Sequence, residues 1–473
     1  MARKKTKNTP KHPHGRKLYK PPRGHDAEVC GHCRFVDGNG DAIGNPPGIG
    51  CRLARGVRNT TPACDQFEGT GIELKASQTE KIRKKTGAIR MNTAAQRAAS
   101  CITSGLLTSD LVAGGGLAAG KVWTKAGRPH SGKTTEFFGT IVDAASKGIR
   151  VHFYDAEGGV DWDYMQHCLE ARGVHMEWSP EDESWTHPLL EPIDFTCGDD
   201  FYRYMAYTLL EMPDYEQGPP TVLFLCDSAA NLTPELLAKD PGKNPMAAQA
   251  RMHSEGFLIM RSLLKRKGGA LCFTNHLADK PGVVFGSPEY MKGGSALHHH
   301  SDTVEWMRGR SSGMPQPIVK SRGRRVERSW RGDGKDYFVY AAHHFKKNRR
   351  RGSSTDVTWG RICFKEASDF GTGVDAAYDV FQFLCMTGQA AWEGKERIRL
   401  FLHKPTFKND EIRFPKIRRW YDKTMPWLAF RKMVNESMRD PDAHRLNLYQ
   451  LCRDQMNTGW AQARYREQTK DKE

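Results

Sequence analysis

Four short stretches of the chain read as strands, and three of them end in polar residues at their carboxyl sides. Residues 151–157 carry Val151, Phe153 and Tyr154 and close on Asp155 and Glu157. Residues 221–228 are almost wholly apolar until Asp227, and residues 270–276 are apolar until Thr274, Asn275 and His276. The remaining stretch, 121–126, follows a glycine-rich turn at 113–116 and runs into Gly127. Continuous apolar strands alternating with helical patterns indicate a mostly parallel α/β sheet buried on both faces. The helical period is clearest in 135–147, where Phe138, Ile141, Val142 and Ala145 recur at helical spacing. In such sheets functional groups gather beyond the carboxyl ends of the strands.

Between the first strand and that helix lies Gly127-Arg128-Pro129-His130-Ser131-Gly132-Lys133-Thr134, followed by Thr135. The spacing fits G-x-x-x-x-G-K-[ST], a loop whose backbone N–H groups cradle phosphate oxygens. A helix N-terminus behind it adds partial positive charge. A chance glycine-rich turn would lack the strand before and the helix after. ATP and Mg²⁺ are the expected ligands, with the ion held by Thr134 and, through water, by Asp227. Lys133 and the loop amides stabilise charge on the transferring phosphoryl group, and Glu157 orients or deprotonates the attacking water. One acidic strand tip would pass as a helix cap, but three polar tips beside such a loop indicate a site.

Charge extends the picture. The 473 residues include 72 Lys and Arg against 55 Asp and Glu, a net charge of +17. That balance favours a polyanionic partner, although a solvated basic surface is the alternative. Residues 1–24 are basic, acid-free and proline-containing, and read as a disordered arm attracted to phosphates. No run is long and apolar enough to span a membrane, and no secretory signal is evident. Single cysteines inside apolar strands, Cys226 and Cys272, fit reduced thiols and a cytoplasmic setting.

Residues 25–68 are rich in Gly, Asn and Pro and hold Cys30-x-x-Cys33, Cys51 and Cys64. Four thiolates suit a tetrahedral structural Zn²⁺ in a zinc-ribbon-like module, and a segment this poor in large apolar residues needs such a staple. An iron–sulfur cluster and unligated cysteines are the alternatives, and His25 and His32 are substitute ligands that four thiolates make unnecessary. Residues 69–102 read as a helix and linker into the main domain, which spans 103–365.

Together these stretches resemble the RecA family of DNA recombinases over roughly residues 80–440. The resemblance is carried by GRPHSGKTT at the phosphate loop, YDAEGGVD with Glu157, and LFLCDSAANLTP with Asp227. PGVVFGSPE at 281–289, followed by Gly293-Gly294-Ser295-Ala296-Leu297, resembles the family's second DNA-binding loop. Residues 366–440, with FGTGVD and WEGK, resemble its small α+β C-terminal domain, leaving 441–473 as a charged tail without the acidic run common in the family. The resemblance implies Asp161 and Tyr164 at the adenine and a first DNA-binding loop at 236–246 ending in Met246, with Arg251 facing the DNA backbone. It implies a second loop at 277–297 that includes Lys280, Val284, Phe285, Lys292, Gly293 and Gly294. Lys347 and Arg349 match basic residues that reach a neighbouring subunit's ATP.

The chain also departs from the family. His276 stands where the family has a glutamine linking the γ-phosphate to the second loop, so that coupling is open to alteration by pH. Ala278 replaces an arginine. Residues 308–335 are longer and more basic, with Arg322, Arg324, Arg325 and Trp330, which suits single-stranded nucleic acid or a solvated hairpin. His298-His299-His300 point different ways on any regular element and carry no expected metal role. The cysteine module is foreign to the family but present in the related RadA/Sms branch-migration proteins, whose KNRFG motif the stretch from Lys347 to Ser353 resembles. The resemblance thus implies a DNA-dependent ATPase that forms filaments on single-stranded DNA and pairs it with double-stranded DNA in recombination and repair. A hexameric ring helicase and a poorly hydrolysing ATP-binding adaptor are the rivals.

Overall fold

The computed structural model describes residues 49–51, 67–69 and 101–470, the last range without 182, 241, 243–244, 280–288, 310–319, 322–323, 326–337, 350–356, 364–371, 394–396, 404–405, 409–410, 414–418 and 458–459. The chain divides into two units, Met1–Arg90 and Met91–Glu473. In the first, Ile49–Cys51 pairs antiparallel with Phe67–Gly69, Cys51 opposite Phe67. Cys30, Cys33 and Cys64 lie outside the described residues, as does the basic arm.

Among the described residues, the second unit is built on a ten-stranded sheet. Its strands are β1 (Val122–Gly127), β2 (Arg150–Asp155), β3 (Leu190–Ile193), β4 (Val222–Asp227), β5 (Ala270–Asp279), β6 (Glu289–Met291), β7 (Thr303–Gly309), β8 (Phe338–Asn348), β9 (Val357–Cys363) and β10 (Gly373–Val374). They lie in the order β10-β9-β8-β7-β1-β5-β4-β2-β3, with β6 folded back on β5. The six strands from β7 to β3 in that order run parallel, and β8, β9 and β10 continue antiparallel. The fold is therefore α/β with a RecA-like core.

Why the central strands are apolar on both faces follows from the two cores. Leu223 and Leu225 of β4 face one cluster with Phe137 and Ile141 of the helix Lys133–Ser146, whereas Phe224 and Cys226 face the other with Phe201, Met205, Phe257 and Phe273. Successive side chains point to opposite faces, so a strand sandwiched between helix layers has no face left for water. Each such fully buried Leu or Phe contributes about 1.5–3 kcal/mol.

Beneath the phosphate loop, Lys125 of β1 donates to Glu136 at 2.6 Å and to Glu305 at 3.0 Å, all three side chains fully buried. His343 of β8 lies 2.9 Å from Glu305 and 3.2 Å from Glu136. Burial alone would lower the Lys125 pKa, but the two carboxylates carry it up. Glu136, Glu305 and His343 come within 4.8 Å of one another as a metal trio would, yet the Lys125 ammonium already pairs with both carboxylates. The cluster therefore acts as an ion network that pins strand, helix and sheet together.

The chain then forms a smaller antiparallel sheet from β11 (Ala390–Glu393), β12 (Arg397–His403) and β13 (Arg419–Pro426). Buried Asp375 ties the following helix Trp427–Arg439 to the large sheet, accepting from Arg361 of β9 at 2.6 Å and from Arg431 at 2.8 Å. The stretch read from sequence as a charged tail, 441–473, instead contains the helices Leu448–Asn457 and Trp460–Lys470. Leu448, Cys452, Met456, Trp460, Ala461 and Tyr465 are buried, and Arg453 reaches Asp143 at 2.7 Å. The mixed charge lies between apolar residues spaced to fall on one helical face. No helix among the described residues is long and apolar enough to cross a membrane.

Candidate functional site

The strand register brings the polar tips to one edge. Gly127 of β1 pairs with His276 of β5, and Asp227 of β4 pairs with Asp155 of β2. The helix Lys133–Ser146, here α1, starts at this edge behind the loop. Two glycines of the loop are dictated by space. A Cβ on Gly127 would meet Ser131 Oγ at 2.5 Å and the Met307 carbonyl at 2.8 Å. A Cβ on Gly132 would meet Ile362 at 1.8 Å, and Gly132 also has φ of +87°, the left-handed region that glycine enters without a Cβ clash. His130 adopts φ of +59°.

Around this loop the expected residues converge. Thr134 Oγ1 and Thr274 Oγ1 donate to the two carboxylate oxygens of Asp227. Lys133 Nζ donates to the Arg128 carbonyl at 3.1 Å. The Glu157 amide donates to the Asp227 carbonyl at 3.1 Å, and the Glu157 side chain lies 2.5 Å from His276 Nε2. Asp155 accepts from the amides of Glu157, Gly158 and Val160, which fixes the turn carrying Glu157.

Electrostatics separate the two acids. Burial pushes the Asp227 carboxyl up, against the hydroxyls of Thr134 and Thr274. The hydrogen bond from His276 leads in holding the Glu157 carboxyl down to about 2. Burial lowers the Lys133 pKa, while Asp227 and Glu157 oppose that shift. A buried lysine, an oriented carboxylate and the amides of a helix start suit a phosphate chain. Ser131 Oγ is buried with no hydrogen-bond partner among the described residues, a polar atom that a bound phosphate would satisfy. Thr134 and Asp227 together offer hard oxygen ligands, the type Mg²⁺ prefers.

Other expected residues fall nearby. Arg128 is exposed and bridges the loop to the β5–β6 hairpin through Asp279 at 2.6 Å and Glu289 at 3.5 Å. Pro129 and His130 are exposed, and Thr135 is buried at the second residue of the motif's hydroxyl pair. Asp161 caps the helix Trp162–Glu170 by accepting from the Tyr164 amide at 2.9 Å. The Tyr164 hydroxyl donates to the Cys363 carbonyl at 3.0 Å.

The two stretches expected from sequence to be DNA-binding loops begin at the same edge. The first contains the short helix Glu235–Lys239 and leads into Pro245–Lys267, which starts just before Met246. Arg251 is exposed and pairs with Glu255 at 2.7 Å. The second is a hairpin extension of β5, in which Leu277, Ala278 and Asp279 pair with Met291, Tyr290 and Glu289. Lys292 donates its amide to the His276 carbonyl at 3.1 Å, and Gly293 and Gly294 have φ of +86° and +84° before the helix Ser295–His300. Lys280, Val284 and Phe285 lie outside the described residues. His276 therefore touches the Glu157 carboxylate with its side chain and the root of the second loop with its backbone.

Lys347 and Arg349 are elsewhere. They lie where β8 passes the start of β1, since Thr303 pairs with both Asn348 and Trp123. Four residues of strand separate that level from Gly127, about 13 Å at the rise of a strand. They are remote from their own phosphate loop. Sequence reasoning did not single out Thr274 as a partner of Asp227 or Asp155 as the clasp of the Glu157 turn. A threonine ending an apolar run was the only signal for Thr274.

A family model described as the RecA N-terminal domain matches residues 218–315. Protein RecA of Nocardia farcinica is 28% identical over 72% of this chain and 89% of its own length. Protein RecA of Mycobacterium avium is 28% identical over 72% of the chain and 87% of its own length. Protein RecA of Arthrospira platensis is 30% identical over 48% of the chain and 56% of its own length. These likenesses support a RecA-family relationship for the ATPase unit.

Proposed function

We propose that the chain is a Mg²⁺-dependent ATPase that assembles on single-stranded DNA and promotes homologous pairing and strand exchange in recombination and repair. One observation carries the proposal: Lys133, Thr134, Asp227 and Glu157 meet at the sheet edge from which the second-loop hairpin extends, with His276 joining the two. Thr134 and Asp227 would hold Mg²⁺, which supplies charge neutralisation of the β- and γ-phosphates when bound. Lys133 and the loop amides hold the transferring phosphoryl group. Glu157, kept ionised by His276, accepts a proton from the attacking water or orients it. A γ-phosphate offers the His276 N–H a competing acceptor, so nucleotide state reaches β5 and the hairpin beyond it. The basic excess of the chain suits the polyanionic partner. Lys347 and Arg349, being remote from their own loop, would serve the ATP of the adjoining subunit in a helical filament. Joint-molecule formation between single-stranded DNA and a homologous duplex tests the activity. Its absence alongside robust DNA-stimulated hydrolysis would favour a ring-shaped motor instead.

For the four-cysteine segment we propose a structural Zn²⁺ held by Cys30, Cys33, Cys51 and Cys64. About one zinc per chain is expected, lost on Cys51→Ser without unfolding the ATPase unit. Iron in metal analysis, or no metal, would refute it.

A further inference from the structure

Asp302 sits between the helix Ser295–His300, here α2, and β7, with its side chain 4% exposed. Its carboxylate accepts from the Val122 amide at 3.1 Å, from Lys121 at 3.2 Å, and from Arg261 at 2.5 and 3.3 Å. An Arg349 nitrogen lies 3.9 Å away. The Asp302 amide donates to the Val122 carbonyl at 2.7 Å, and its carbonyl accepts from the Arg349 amide at 2.9 Å. Beside it, Lys347 donates to the carbonyls of His298 and His299 at 2.5 and 2.7 Å, and Arg349 donates to the His299 carbonyl at 2.9 Å. Burial, then the adjacent Arg349 charge, brings the Lys347 pKa down to about 8.

Lys121, Arg261, Lys347 and Arg349 thus crowd around one carboxylate. Lys347 and Arg349 otherwise rest on carbonyls of a helix C-terminus, which carry only partial negative charge. Such an excess of positive charge, half exposed, suits an anion brought by another molecule.

We propose that Asp302 is the positioning residue of the site that Lys347 and Arg349 present to a neighbour's phosphates. The inference rests on the trans role proposed for those two residues. Asp302 holds Arg261 against the start of β1 and fixes the backbone of Arg349, so the cations arrive as a set. Without the carboxylate, Arg261 and Arg349 repel each other and lose their common anchor. The same strand that Asp302 grips opens into the phosphate loop at its other end. A neighbour's phosphate is thereby linked through one rigid element to the chain's own nucleotide.

The test uses the full-length chain on single-stranded DNA. Asp302→Asn is expected to lower DNA-stimulated kcat by on the order of 10²-fold, as misplaced reacting groups do, with KM for ATP little changed. Asp302→Glu should retain more of the rate. Mixed with Lys133→Ala, the Asp302→Asn chain should regain activity, because the partner supplies an intact cationic face while Asp302→Asn supplies the phosphate loop. A residue needed only for its own chain's β1 gives no such rescue. If Asp302→Asn is not rescued while Arg349→Ala is, the positioning role is overturned and the trans site stands. If neither is rescued with co-assembly verified, the trans assignment itself fails. A parental rate in Asp302→Asn overturns the inference. Should that variant not fold, Arg261→Gln carries the test: a rescuable loss supports the role, and a parental or unrescued rate overturns it.

Discussion

Replacing Glu157 with glutamine is expected to slow ATP hydrolysis by about 10²–10⁴-fold, the usual contribution of a positioned acid–base group. ATP binding should be nearly intact, because Lys133, Thr134 and the loop amides are untouched. Nucleotide-binding titration alongside single-turnover hydrolysis separates the two effects. A parental rate would remove Glu157 from the reaction. The pH dependence carries a sign. Because the bond from His276 holds the Glu157 carboxyl at about 2, the carboxylate persists as pH falls and is lost only as pH drops through that value. In His276→Ala that bond is lost and the carboxyl returns toward its ordinary value, so the acid limb of the rate profile should move to higher pH. An unmoved limb would show that Glu157 does not set it.

The second large effect concerns Arg349. Arg349→Ala is expected to leave ATP binding by free chains unchanged and to cut DNA-stimulated hydrolysis by about 10³-fold or more, as loss of an arginine finger does. Distance supports this: Arg349 sits by the N-terminal end of β1, about 13 Å of strand from its own loop, so it is too remote to assist its own chain's phosphate. Mixing with Lys133→Ala should restore activity at interfaces where one chain supplies the loop and the other the arginine. Substantial activity in Arg349→Ala alone would place the residue in the fold or on DNA.

Much of the candidate site was legible because its pattern is local. The spacing from Gly127 to Thr134 and the acids ending two apolar runs are short-range patterns, and parallel strands in register bring such tips together without further information. The contacts that tie distant segments were not legible. Nothing near Lys125 foretells Glu305 and His343, nor does Asp375 announce Arg361 and Arg431, since each pairing is fixed only when the sheet closes. The helices at 448–470 were missed for a different reason. Frequent charges obscured a buried face that Leu448, Cys452 and Met456 spell out at helical spacing. His276 was visible as a departure from the RecA pattern, but its contact with Glu157 needed the registers of β5 against β4 and of β4 against β2.

The most direct test of the central claim is phosphate release measured with and without single-stranded DNA, on samples imaged in parallel by electron microscopy. The expected result is hydrolysis that requires Mg²⁺, rises strongly with single-stranded DNA, and accompanies ATP-dependent helical filaments. Hydrolysis indifferent to DNA, or rings with no filaments at any nucleotide state, would contradict it.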